Sequence, residues 1–229
     1  MHLRAVIFDL DGTLLDTLQD IGTSCNRVLA ARGFPTHEIE TYRMLIGDGA
    51  PECVKQALPA ESRSEALIQE CLEAYFEEYE RSWNASTRPF DGIPELLDDV
   101  TDRGIGMAVL SNKSQLATER CVNGLLGRWM FAPVIGQDAA GRRKPDPAGA
   151  LEIAESLNVS PGECLFVGDT EVDTRTAEAA GMFPLGVLWG YRTARELRTA
   201  GARALVREPS EILELILGDR LPTRGAAGT

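Results

Sequence analysis

Ala5-Val6-Ile7-Phe8-Asp9-Leu10-Asp11-Gly12-Thr13 is the stretch on which the organisation of this chain turns. Four apolar residues in a row, Ala5 to Phe8, predict a strand buried on both faces, the kind found in parallel sheets. Two carboxylates follow where that strand ends. Residues two apart in extended backbone point the same way, so Asp9 and Asp11 face one pocket while Leu10 faces the core. Gly12 lets the chain leave the strand through torsions that a side chain disfavours. Two like charges this close call for a cation between them or a proton on one. A calcium loop is excluded: counted from Asp9, its glycine and glutamate positions hold Leu14 and Asp20.

The remaining composition bounds the class. With 229 residues, 44% hydrophobic and 25% charged, the chain has the make-up of a globular protein with a sizeable core. A net charge of −12 argues against nucleic acid or an anionic membrane as partner. An anionic substrate would therefore need locally concentrated positive charge. No apolar run approaches the roughly 18 residues of a membrane span, and the N-terminus lacks the zones of a signal peptide. Five scattered cysteines, Cys25, Cys53, Cys71, Cys121 and Cys164, form no C-x-x-C pair and predict reduced thiols in a cytoplasmic protein. Two histidines without ligand spacing argue against zinc.

From Asp16 to about Arg88 the pattern is helical. Leu18, Ile21, Cys25, Val28 and Leu29 share one face, with Thr17 and Asp20 as a candidate capping box. Ile39, Tyr42 and Leu45 outline a shorter helix, Pro51 starts another, and Ser64 caps the longest, striped by Leu67, Cys71, Leu72, Tyr75, Phe76 and Tyr79. Four helices directly after a first strand predict a separate lobe. After Pro89 strands and helices alternate: strands at Gly106–Leu110, Pro133–Ile135, Cys164–Val167, Pro184–Leu188 and Ala204–Val206, separated by helical stretches. Such alternation predicts parallel strands with right-handed crossovers, an open three-layer α/β sheet. The expected division is a core of residues 1–15 and 89–221, a helical cap of 16–88, and a flexible tail of 222–229.

Open parallel sheets place their sites at the carboxyl ends of strands. There the chain carries Ser111-Asn112-Lys113 after one strand and Gly168-Asp169-Thr170-Glu171-Val172-Asp173 after another, with Arg143-Lys144-Pro145-Asp146-Pro147 between them. Asp9, Asp11 and Asp169 supply hard oxygen ligands suited to magnesium, Asp11 through its backbone carbonyl. Asp9 is then the candidate nucleophile towards phosphorus, with Lys144 and the metal offsetting charge repulsion. Ser111, Asn112, Gly12 and Thr13 are candidates for holding the phosphate oxygens. Asp11 would protonate the departing alkoxide and later take a proton from water. Asp173 is expected to orient Lys144 rather than bind metal.

These motifs together resemble the four signatures of the haloacid dehalogenase-like hydrolase superfamily, over about residues 3 to 217. The helical insertion is similar to the small cap of its phosphoglycolate-phosphatase-like group. The resemblance implies a Rossmann-like core, magnesium, an aspartyl-phosphate intermediate at Asp9 and a mobile cap over a small phosphorylated metabolite. Arg43 with Ile46-Gly47-Asp48-Gly49 resembles the cap segment that dips towards the phosphate, so Arg43 is a candidate substrate contact. Pro89-Phe90-Asp91-Gly92-Ile93 resembles the returning hinge.

Asp11 separates the readings. The superfamily's dehalogenases lack this second acid, because a halide leaving group needs no proton. The expected function is thus phosphatase action on a small monoester, phosphoglycolate-like or a sugar phosphate. A sugar phosphomutase, a pyrophosphatase and a catalytically silent binding module are the alternatives. Monomer and homodimer are both open.

Overall fold

The computed structural model describes residues 3–137 and 143–218. The expected tail and most of the Gln137–Arg143 segment lie outside them. The chain opens with β1 (Ala5–Phe8) and the short β2 (Leu15–Asp16). Three helices follow, α1 (Leu18–Ala31), α2 (Ala50–Ala57) and α3 (Glu65–Ser82), and then the short β3 (Arg88–Pro89). The remainder alternates: α4 (Ile93–Asp102), β4 (Gly106–Ser114), α5 (Gln115–Leu125), β5 (Val134–Gln137), α6 (Ala148–Ser156) and β6 (Cys164–Gly168). It closes with α7 (Glu171–Ala179), β7 (Phe183–Val187), α8 (Ala194–Thr199), β8 (Ala204–Val206) and α9 (Ser210–Leu217).

Six strands form one parallel sheet in the order β5-β4-β1-β6-β7-β8. The first strand sits inside it, which explains its unbroken apolar run. Val6 and Phe8 pack on one face with Leu97, Val122 and Ile212, while Ala5 and Ile7 pack on the other with Ile153 and Ala177. Period-two alternation thus serves two cores at once, giving the expected three-layer, Rossmann-like α/β fold.

The helical lobe has its own core: Leu18, Ile21, Cys25 and Leu29 of α1 meet Cys53 and Val54 of α2 and Cys71, Tyr75 and Tyr79 of α3. Ser64 caps α3 by accepting from Leu67 N–H at 3.3 Å. Of the predicted stripe on that helix, Phe76 turns outward and is 41% exposed. The short helix at Ile39–Met44 is a 3-10 helix rather than α.

Two expectations change. Thr17 and Asp20 make no capping box. Thr17 Oγ1 instead meets Tyr191 Oη at 3.0 Å, and the buried Asp20 carboxylate accepts from Ser86 N at 2.9 Å and Thr87 N at 2.8 Å. Tertiary partners displace the local cap: the Asp20 carboxylate satisfies backbone donors at residues 86 and 87 instead of those of its own helix. The pairing of β2 with β3, Leu15 opposite Pro89 and Asp16 opposite Arg88, was also unforeseen. It sets the outgoing and returning chains side by side.

All five cysteines are buried and unbridged, as expected. Among the described residues no helix is long and apolar enough to cross a membrane.

Candidate active site

From β1 the chain builds the sheet outward through β4 and β5, then returns to add β6, β7 and β8 on the other side. Strand order therefore reverses beside β1, where α/β sheets leave a crevice at their carboxyl ends. Asp9 stands at that edge, its N–H donating to Val167 O at 2.9 Å. Asp169 follows β6 directly, and Ser111 to Lys113 lie near the end of β4, just before its last residue, Ser114.

Lys144 draws these strand ends together. Its Nζ lies 2.7 Å from Asp9 Oδ1 and 2.6 Å from Asp173 Oδ1, with all three side chains nearly excluded from solvent. The second Asp173 oxygen accepts from Thr170 N at 3.0 Å and Thr170 Oγ1 at 2.7 Å. Both oxygens of Asp173 are thus engaged in aiming Lys144 and closing the first turn of α7. Asp169 accepts from Thr13 Oγ1 at 3.1 Å and from Tyr191 N at 2.7 Å. Gly12 is required here on two counts. Its φ is +85°, and an added Cβ would sit 2.4 Å from Asp169 Oδ2.

Asp9, Asp169 and Asp173 each place a carboxylate oxygen within 4.8 Å of the others, all three residues buried. Burial, then the charge of Asp173, pushes Asp9 up to about 7, against the pull of Lys144. Burial and the charges of Asp173 and Asp9 likewise raise Asp169 well above the usual carboxylate range. Burial pulls Lys144 down, but Asp173 and Asp9 outweigh it and hold the ammonium charged. Three carboxylates against one ammonium, with oxygen-only donors, fit a hard divalent cation such as magnesium.

The Asp11 carboxylate stands outside this cluster. Both its oxygens accept from Lys113 Nζ at 2.9 Å, so it is neither a carboxylate ligand nor free. Ser111 lines the cavity between sheet and helical lobe. Asn112 does too, but its amide bonds to backbone: Nδ2 reaches Gly47 O at 2.9 Å and Lys144 O at 3.1 Å. Thr13 serves Asp169, not the cavity. Arg43 departs from expectation and does not line the cavity. Its guanidinium bonds Glu40 Oε2 at 2.6 Å and Gly190 O at 2.7 Å, tying the lobe to the sheet's edge. The Gly47–Gly49 turn does approach the site: a Cβ on Gly49 would lie 2.9 Å from Asn112 O.

Lys113, Arg192 and Tyr191 were not foreseen as site residues. Arg192 Nε meets Glu171 at 3.0 Å, while its two amino groups donate to the carbonyls of Arg43 and Ile46. Tyr191 belongs to the lobe's apolar core although it lies beyond β7. A lone Arg or Tyr in a loop carries no local signal. Lys113 had one, since β4 alternation puts it on the same side as Ser111.

Between sheet and lobe lies a cavity of about 60 Å³. Asp9, Asp11, Ser111, Lys113 and Lys144 form its polar floor, and Ile46, Cys53, Tyr75 and Tyr79 its apolar roof.

Known proteins resemble this chain over nearly its whole length. A phosphoglycolate phosphatase of Thiobacillus denitrificans is 33% identical over 214 residues, covering 92% of this chain and 94% of its own. Another, of Xylella fastidiosa strain 9a5c, is 36% identical over 209 residues, 90% of each chain. A crystal structure from Lactobacillus delbrueckii subsp. bulgaricus superposes with a TM-score of 0.89 at 29% identity, over 95% of this chain and all of that one. The sequence model of the haloacid dehalogenase-like hydrolases matches residues 6–187, and with the fold and the carboxylate cluster in agreement, the chain belongs to that family.

Proposed function

We propose that this protein is a phosphatase of small phosphate monoesters, with phosphoglycolate as the representative substrate, acting through an aspartyl-phosphate at Asp9. One observation carries the reading: Lys144 Nζ, Asp9 and the Asp169–Asp173 pair converge on one buried point at the strand ends. The names of relatives that align over about nine-tenths of both chains support the substrate class. A cavity of about 60 Å³ roofed by the helical lobe favours a small substrate.

Asp9 attacks phosphorus with the oxygen that Lys144 does not hold. Lys144 offsets the charge that builds on the transferring group, and Ser111 with nearby backbone N–H groups holds its oxygens. Asp11 passes a proton to the departing alkoxide and then takes one from the water that cleaves the acyl phosphate. Asp173 keeps Lys144 aimed. Asp9, Asp169 and the Asp11 carbonyl would hold magnesium, which supplies charge neutralisation at the phosphoryl group. The lobe of residues 16–88 acts as the lid that excludes bulk water.

The test is phosphate release from a panel holding phosphoglycolate, hexose phosphates, nucleotides and pyrophosphate, each with magnesium. Turnover of short monoesters above the rest is expected. No release from any monoester overturns the reading.

A further inference from the structure

We propose that Lys113 reads a second negative group on the substrate, a carboxylate one methylene from the ester oxygen, by exchanging Asp11 for it. The inference rests on the phosphatase reading above and deepens it.

Two cations line the cavity among the described residues, Lys113 and Lys144. Lys144 is committed to Asp9 and Asp173, within 2.7 Å of each. Lys113 is placed differently. Its side chain is only 8% exposed, and its single ionic partner among the described residues is Asp11, held at 2.9 Å through both oxygens. The same Nζ lies 4.7 Å from the centre of the Tyr79 ring, on α3 of the lobe. The ammonium therefore sits at the seam between catalytic floor and lid, facing the space a leaving group must fill.

The chemistry of a carboxylated leaving group matches that position. Asp11 is assigned to the ester oxygen, and the carboxyl carbon of a glycolate lies about 2.4 Å from that oxygen, two ordinary covalent bonds away. A cation already touching Asp11 needs only a small swing to meet it. The roof supplies no charge: Ile46 is apolar, and Tyr75 and the Tyr79 hydroxyl, unpartnered among the described residues, offer at most neutral O–H donors. A carboxylate brought under that roof requires a charged partner. When Lys113 turns to the substrate, the Asp11 carboxylate loses its cation and faces the leaving oxygen. An uncharged analogue leaves the pair intact, so Asp11 remains tied. Lys113 thereby couples recognition of the second anion to freeing the Asp11 side chain towards the ester oxygen.

The experiment compares phosphoglycolate with propyl phosphate, which has a similar length and no carboxylate, in the magnesium-loaded protein. Wild type is expected to prefer phosphoglycolate by at least about 100-fold in kcat/KM. In Lys113→Met that preference should fall by about 100-fold, with KM rising for phosphoglycolate, while Lys113→Arg should keep it within about tenfold. A purely structural role would lower both substrates alike, and equal losses overturn the proposal. A wild-type preference under about tenfold overturns it as well, whether or not Lys113→Met folds, and leaves the phosphatase reading standing. Turnover of neither substrate, nor of any other monoester, removes both.

Discussion

Asn112 grips the backbone of Lys144 from both sides: its Oδ1 accepts the Lys144 N–H at 2.7 Å, and its Nδ2 donates to the Lys144 carbonyl at 3.1 Å. The same Nδ2 reaches Gly47 O of the helical lobe. One buried amide thus registers the lysine loop against the end of β4 and senses the lobe above it. With Oδ1 and Nδ2 both engaged by backbone, its side chain is expected to position Lys144 rather than hold phosphate.

Asn112→Ala is expected to lower kcat on para-nitrophenyl phosphate by about 10- to 100-fold, because a misplacement of about 1 Å in Lys144 costs that much. Leaving the Lys144 N–H and carbonyl without partners should also cost about 2–4 kcal/mol of stability. Steady-state kinetics and urea unfolding check the two together. An unchanged kcat in a folded variant would contradict the positioning role.

Asp9→Asn should abolish turnover, by at least about 10⁴-fold, because the amide cannot form the acyl phosphate. Asp11→Asn is expected to retain magnesium binding and lose about 10²- to 10⁴-fold in kcat on alkyl phosphates, since it has no acidic proton to donate. Quench-flow phosphate release and calorimetric magnesium titration separate the two. Hydrolysis surviving in the Asp9 variant would eliminate the covalent route. Chelation with EDTA should silence the wild type.

Stability of the metal-free protein should fall as pH rises through the range where Asp9 titrates. Burial, followed by the Asp173 charge, lifts Asp9 from 3.8 to about 7, and burial lifts Asp169 as well. The unfolded chain releases these protons near pH 4. Between about pH 4 and pH 7 the folded state therefore binds more protons, and unfolding gains with each step upward. Magnesium at the same carboxylates counters this, so its rise in Tm should be larger at pH 7.5 than at pH 5.5. Thermal melts with EDTA and with magnesium at both pH values decide it. A magnesium effect that is equal or smaller at pH 7.5 contradicts the assignment.

Asp20 holds the lobe's first helix to its returning strand through Ser86 N, Thr87 N and Thr87 Oγ1, at 2.8 to 3.1 Å. Asp20→Ala strands two backbone N–H groups and should cost about 2–4 kcal/mol, or a Tm lower by roughly 5–12 °C. Calorimetry measures it. A loss below about 0.5 kcal/mol would show that water replaces the carboxylate.

Much of the site is legible in order along the chain. Asp9 and Asp11 read from two-residue spacing at a strand end, and Lys144, Asp169 and Asp173 read from their places between and after later strands. Strand alternation and connection handedness are short-range rules, so they bring those ends to one edge without knowledge of any particular contact. Arg43 shows the limit: the sequence put it near the cavity, whereas packing turned it to Gly190 O.

What the sequence by itself determined is the buried first strand, the paired acids at its lip, the α/β class and the inserted helices, because each follows from local periodicity and spacing. Only the tertiary structure decided that Lys113 clasps Asp11, that Asn112 serves Lys144, that Asp20 crosses to residues 86 and 87, and that Arg192 carries the carbonyls of residues 43 and 46. Those pairings join segments tens to more than a hundred residues apart. Which donor meets which acceptor there depends on how two packed bodies settle against each other, a relation that local spacing does not encode.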